Sequence, residues 1–148
     1  MEIYFSASLI GKEKYLKEYR TIINIVKRLK HKIFYEHIIS RNWQEVEKLT
    51  KKQHEKDFQR TRNQIKNSDL MIIEATYPSI GVGHMMTIGL EMFKPTLVLY
   101  QESTNPHGLL IGDPNRLLTI KKYSLTNKKK LEQIIKIFGL SFKICVSI

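Results

Sequence analysis

The chain has a single cysteine, Cys145, among its 148 residues, so no internal disulfide can form. Four prolines and seven glycines are spread thinly, and no linker, internal repeat or low-complexity tract breaks the sequence. No apolar run approaches the ~20 residues that cross a bilayer as a helix. The opening MEIYFSASLIGKEK lacks a basic segment ahead of an apolar core, so neither a membrane span nor a secretory leader is expected. These absences suit a reducing, cytoplasmic setting. Acidic residues are also in deficit, with 14 Asp and Glu against 25 Lys and Arg for a net charge of +11.

What is present fits one globular domain spanning 1–148, with 42% hydrophobic and 26% charged residues and enough chain to form one core. A charge of +11 would suit a nucleic-acid partner if the cations formed one stripe. Instead they are scattered over KRLKHK, KLTKKQHEK, IKKY and NKKKLEQIIK with Glu interleaved, as on the solvated faces of several helices. Nucleic acid is therefore not the expected partner, whereas a small phosphate-bearing ligand gains from the same field.

Hydrophobic periodicity orders the elements. EIYFSAS at 2–8 reads as a buried first strand. From Lys12 to about Lys30, Tyr15, Tyr19, Ile22, Ile23, Val26 and Leu29 recur at three- and four-residue steps, the stripe of an amphipathic helix. KIFYEH predicts a second strand. Residues 42–67 predict one long polar helix with Asn42 at its start and Trp43, Val46, Leu49, Phe58 and Ile65 as a broken apolar face. DLMIIEA predicts a strand buried on both faces, TYPSIGVG a loop, and His84 to Met92 a helix. The strands PTLVLY and LLTIKKY and the helix NKKKLEQIIKIF follow. The tail 139–148 has no assigned role; an edge strand or a segment docking on a partner subunit would both fit. Alternating strands and helices predict an open parallel α/β sheet with helices on both faces.

Ligands in such sheets sit beyond the carboxyl ends of the strands, at the switch in strand order. Three segments converge there. SASLIGK brings the Ser6 and Ser8 hydroxyls and Gly11 ahead of a helix start, EHIIS brings Glu36 and His37, and YPSIGVGH brings Ser79, Gly81, Gly83 and His84. Small residues at strand-to-helix turns also arise for steric reasons alone, so the signal lies in their shared edge. Nothing in the pattern calls for a metal ion or a cofactor.

IYFSAS..G, the EH after the second strand, SDLMIIEA and PSIGVGH, in this order over about residues 3–100, resemble the nucleoside 2-deoxyribosyltransferase superfamily, including its 2'-deoxynucleoside 5'-phosphate N-hydrolase branch. The resemblance implies a flavodoxin-like five-stranded parallel sheet in the order 2-1-3-4-5, with IYFSA and LMIIEA adjacent at its centre. It also implies a homodimer or larger homo-oligomer in which a neighbouring chain helps close the pocket. The implied ligand is a nucleoside or deoxynucleoside monophosphate, and the implied reaction breaks or exchanges its N-glycosidic bond.

That reaction requires carboxylates: one to meet the developing cation at C1', another to handle protons. In the family pattern the attacking Glu directly follows GVGY or GVGH, and this chain has Met85 there, which falls in the first turn of the expected helix. A thioether neither ionises nor forms a glycosyl ester. The second family carboxylate, an Asp on the helix before SD, falls on Thr61, with Asp57 about one helical turn earlier. Tyr4 matches an active-site Tyr, Ser8, Gly11, Ser79 and Gly81 match phosphate-loop positions, and Glu74 matches an acidic position at the strand end. Three readings follow. The chain binds nucleotides with catalysis lost or reduced, it is an active glycosidase or transferase using a relocated carboxylate such as Glu74, or it is a nucleic-acid or protein-binding module.

Overall fold

The computed structural model describes residues 1–143. Five strands, β1 (Glu2–Ala7), β2 (Lys32–Phe34), β3 (Leu70–Glu74), β4 (Thr96–Gln101) and β5 (Leu118–Tyr123), form one parallel sheet in the order β2-β1-β3-β4-β5. The expected order and the adjacency of IYFSA and LMIIEA are both observed. Every residue of β3 is buried, as a strand covered on both faces requires.

Side-chain alternation divides the core into two layers. Ile3, Phe5 and Ala7 of β1 join Ile72 of β3, Leu99 and Tyr123 on one face. There they pack under α1 (Lys12–Arg28), through Tyr19, Ile22 and Val26, and under α7 (Lys128–Lys143), through Leu131 and Ile135. Tyr4, Met71, Ile73 and Val98 point the other way, under Ile65 of α4 (Lys51–Asn67) and Val82 of α5 (Ile80–Glu91). Each fully buried Ile or Leu in these layers contributes about 1.5–3 kcal/mol relative to exposure. The α1 stripe is as expected, and α1 ends where Lys30 turns left-handed at φ 61°.

Four expectations need correction. The second strand stops at Phe34, and Glu36 and His37 lie instead on a one-turn helix, α2 (Glu36–Ile39). The long polar helix is two helices, α3 (Trp43–Glu47) and α4. Thr50 restarts the chain with a capping box: its hydroxyl accepts from Gln53 N–H at 3.4 Å, and Gln53 Oε1 accepts from Thr50 N–H at 2.8 Å. The helix expected from His84 begins four residues earlier at Ile80, because the Ser79 hydroxyl caps Val82 N–H at 3.4 Å. Residues 139–143 continue α7 rather than adding an edge strand, and 144–148 lie outside the described residues. The sequence also gave no sign of α6 (Gly108–Ile111), a single turn in the crossover from β4 to β5.

Candidate functional site

Tyr4 reaches from β1 into the α4/α5 layer and meets His37 of α2. Their rings stack at 5.2 Å between centroids, with planes 10° apart, and Tyr4 Oη shares a 3.1 Å hydrogen bond with His37 Nε2. Burial holds the Tyr4 phenol well above its ordinary value, while the Thr61 and Ser6 hydroxyls and the Arg60 charge pull it back. Burial pushes His37 down to about 4, assisted by Arg60 and Arg41 and opposed by Glu36 and Asp57, so this imidazole is neutral at pH 7. Its Nδ1 is buried with no hydrogen-bond partner among the described residues. A buried ring nitrogen in that state offers a donor or an acceptor to whatever enters.

The Thr61 position therefore lies beside Tyr4, where the family pattern places an acid. Asp57, one turn earlier on α4, is held by Arg41, which lies between α2 and α3, and by Arg60 at 3.0 Å. Burial alone would raise its pKa; the hydrogen bond and charge of Arg41, with Arg60 behind, hold it below the ordinary value. Asp57 is thus an ion-paired anion rather than a proton donor. The two arginines were not singled out by sequence, since neither stands in a motif or at a strand end.

The loop from β1 to α1 is built by its own contacts. Ser8, buried, accepts Gly11 N–H at 3.0 Å through its hydroxyl and Tyr19 Oη–H at 3.1 Å through its carbonyl. A Cβ on Gly11 would stand 2.6 Å from Tyr77 Cβ, so glycine here admits the β3–α5 loop. Next to it the buried Lys12 donates to the carbonyls of Ile39 and Arg41, tying α1 to the α2–α3 link. Burial lowers its pKa, against the pull of Glu45.

On the opposite lip, Ser79 is the N-cap of α5, and Gly81, Gly83, His84 and Met85 are all helical. A Cβ on Gly83 would meet nothing within 4 Å, and one on Gly81 only the Ser79 hydroxyl at 3.9 Å. His84 stacks on Phe58 of α4 at 6.0 Å. Met85 falls in the second turn of α5, not the first, and packs half-buried against the cluster that contains Tyr4, Met71 and Ile73.

Glu74 is elsewhere. At the carboxyl end of β3 it turns into the α1/α7 layer, fully buried, and accepts the hydroxyls of Thr76 and Tyr123, the latter at 2.9 Å. Glu36 is exposed and caps its own turn, accepting Tyr35 N–H at 3.1 Å. The structure thus brings Tyr4, Ser6, His37, Asp57, Thr61 and Met85 to one face, lips them with the Ser8–Gly11 and Ser79–Gly83 segments, and leaves Glu74 on the other. Among the described residues no group of three or more metal-ligating side chains occurs, and no helix is long and apolar enough to cross a membrane.

An open parallel sheet of order 2-1-3-4-5 with helices packed on both faces defines a flavodoxin-like fold, the fold that deoxyribosyltransferases also have. In fold it is similar to the CMP N-glycosidase of Clostridium botulinum, with a TM-score of 0.67 and 17% identity over 93% of this chain and 99% of the other. It is likewise similar to the 2-deoxyribosyltransferase of Bacillus psychrosaccharolyticus, with a TM-score of 0.66 and 16% identity over 89% and 90%. In sequence it is 28% identical to a protein of Methanosarcina mazei named as a 2'-deoxynucleoside 5'-phosphate N-hydrolase, over 90% of this chain and 80% of the relative. A protein of the same name from Methanosarcina barkeri is 28% identical over 95% and 86%. No family model matches. The relatives and the fold neighbours support a resemblance to the nucleoside 2-deoxyribosyltransferase superfamily, on the side of its 2'-deoxynucleoside 5'-phosphate N-hydrolase branch.

Proposed function

We propose that this chain binds nucleoside 5'-monophosphates, deoxy forms included, in the crevice between Tyr4, α4 and α5, and that it cleaves the N-glycosidic bond slowly or not at all. The observation that carries this reading is that Met85 and Thr61, the two positions where the family reaction uses carboxylates, flank Tyr4 with groups that do not ionise. Glu74, the carboxylate that sequence offered as a substitute, lies across the sheet in the α1/α7 layer. An attacking oxygen displaced by even ~1 Å can lose ~100-fold in rate. The N–H groups opening α5 and α1 and the cations Arg41 and Arg60 favour an anionic ligand at this edge.

We infer further that the protein is a single cytoplasmic domain that works as a homo-oligomer. Ile80, 94% exposed at the start of α5, and the uncrowded Gly81 and Gly83 support a reading in which a second copy covers the mouth of the crevice. Calorimetric titration with deoxynucleoside monophosphates, paired with chromatography for released base, tests the assignment. Binding without base release is the expected outcome. Fast base release overturns the loss of catalysis, and absence of binding overturns the ligand class.

A further inference from the structure

Lys12 is the only lysine or arginine buried among the described residues, 8% exposed, and it stands where a cation is least welcome. It opens α1, whose amino end disfavours positive charge, and its ammonium forms no ion pair with any described carboxylate. Glu45 favours the charge without pairing with it. The ammonium donates instead to two backbone carbonyls of another segment, Ile39 O at 3.4 Å and Arg41 O.

Both carbonyls belong to the stretch that carries His37. Ile39 is the last residue of α2, and a single turn is too short to persist in water without outside support. A helix end also leaves carbonyls without partners inside the helix, and a lysine can serve them. The Ser40 N–H and hydroxyl close the turn on Glu36 O, while Lys12 takes the carbonyls of Ile39 and Arg41.

Three polar ties then fix residues 36–42. His37 is stacked on Tyr4 of β1, Lys12 holds Ile39 and Arg41 from α1, and the Arg41 guanidinium reaches Asp57 of α4. Helices α1 and α4 cover opposite faces of the sheet, so Arg41 is gripped from both, its carbonyl by one layer and its side chain by the other. Ile38 adds an apolar anchor in the α1 layer.

We propose that Lys12 is a positioning residue of the crevice: by holding the carboxyl end of α2, it keeps the His37 ring flat on Tyr4 and its bare Nδ1 in place for the ligand. What His37 meets there rests on the nucleotide reading above; the clamp itself needs no ligand. Lys12 directly follows Gly11, so a shift of the Ser8–Gly11 loop is passed through one side chain to α2 and on to the imidazole.

Proton NMR of the histidine rings across pH tests it. Burial makes His37 titrate at about 4 in the wild type. The charges acting on the ring are those of Arg60, Glu36, Arg41 and Asp57, so removing the Lys12 ammonium does not move the midpoint by charge alone. Lys12→Met is expected to release α2 and raise the His37 midpoint by at least about one unit toward the ordinary 6.5. Lys12→Arg, which keeps a cationic donor, is expected to hold it near about 4. A midpoint that stays there in folded Lys12→Met, even with a lower melting temperature, reduces Lys12 to packing and overturns the proposal. Should Lys12→Met not fold, Lys12→Gln decides in the same way. Calorimetry adds a second readout. Lys12→Met and His37→Ala are each expected to weaken deoxynucleoside monophosphate binding, and the double variant to bind no more weakly than His37→Ala alone. Losses that simply add overturn the proposal. A wild type that binds no nucleotide overturns the ligand reading, and the ring titration then decides the role of Lys12 by itself.

Discussion

Glu74 and Met85 lie on opposite faces of one sheet: the carboxyl group is bonded to Tyr123 in the α1/α7 layer, and the thioether packs with Tyr4 in the α4/α5 layer. On the proposed function, restoring chemistry at the crevice means placing a carboxylate at 85, not recruiting the one at 74. Met85→Glu is expected to gain measurable base release from deoxynucleoside monophosphates, and adding Thr61→Asp to raise it further. Burying the new carboxyl against Met71 and Ile73 should cost about 1–3 kcal/mol of stability, readable by urea unfolding. The helix dipole will soften that cost less than it would in a first turn, because its effect fades beyond that turn. Wild-type turnover that survives Met85→Ala but vanishes in Glu74→Gln would reverse this account.

Tyr4→Phe strips His37 Nε2 of its partner and leaves both ring nitrogens buried and unpaired. The expected loss is about 1–3 kcal/mol in urea unfolding, the range for an abandoned buried polar group. Nucleotide affinity should fall as well, since the imidazole is no longer held flat against the phenol. A variant as stable as the wild type would mean that water already serves His37.

His37 also predicts an acid limb. Its pKa in the fold, about 4, is below the ordinary 6.5, so the neutral ring supports the fold fully above that ordinary value. The support is withdrawn as pH falls toward about 4, at up to about 1.4 kcal/mol per pH unit for one proton. His37→Asn should flatten the stability-pH curve across this window. Parallel curves for the two proteins would show that the ring protonates freely in the fold.

Gly11 and Gly83 separate packing from recognition. Gly11→Ala forces a methyl group to 2.6 Å from Tyr77 Cβ and should destabilise the protein by about 1–3 kcal/mol, as overpacking does. Gly83→Ala meets nothing in its own chain and should stabilise α5 by up to about 1 kcal/mol through helix propensity. If Gly83 is bare because a nucleotide or a second copy approaches it, the same variant will bind nucleotide more weakly or dissociate despite its higher melting temperature. Unchanged affinity and mass by light scattering would leave that glycine without a role at the site.

The two buried central runs and the α1 stripe were determined by sequence alone, and the order of strands was read from the family resemblance. A strand buried on both faces must be apolar throughout, and an amphipathic helix must repeat its apolar positions at three and four. The departures from the family pattern at Met85 and Thr61 were legible because each is one position's chemistry set against a motif. Boundaries were less so, because the caps at Thr50 and Ser79 use small polar side chains that serve equally well in loops. What only tertiary structure decided is which way each side chain faces at the crevice. Glu74 and Ile73 are neighbours in the chain, yet the pleat sends them to opposite layers. Asp57 looks like a free acid until the chain folds Arg41 against it, a contact 16 residues apart that no local pattern encodes.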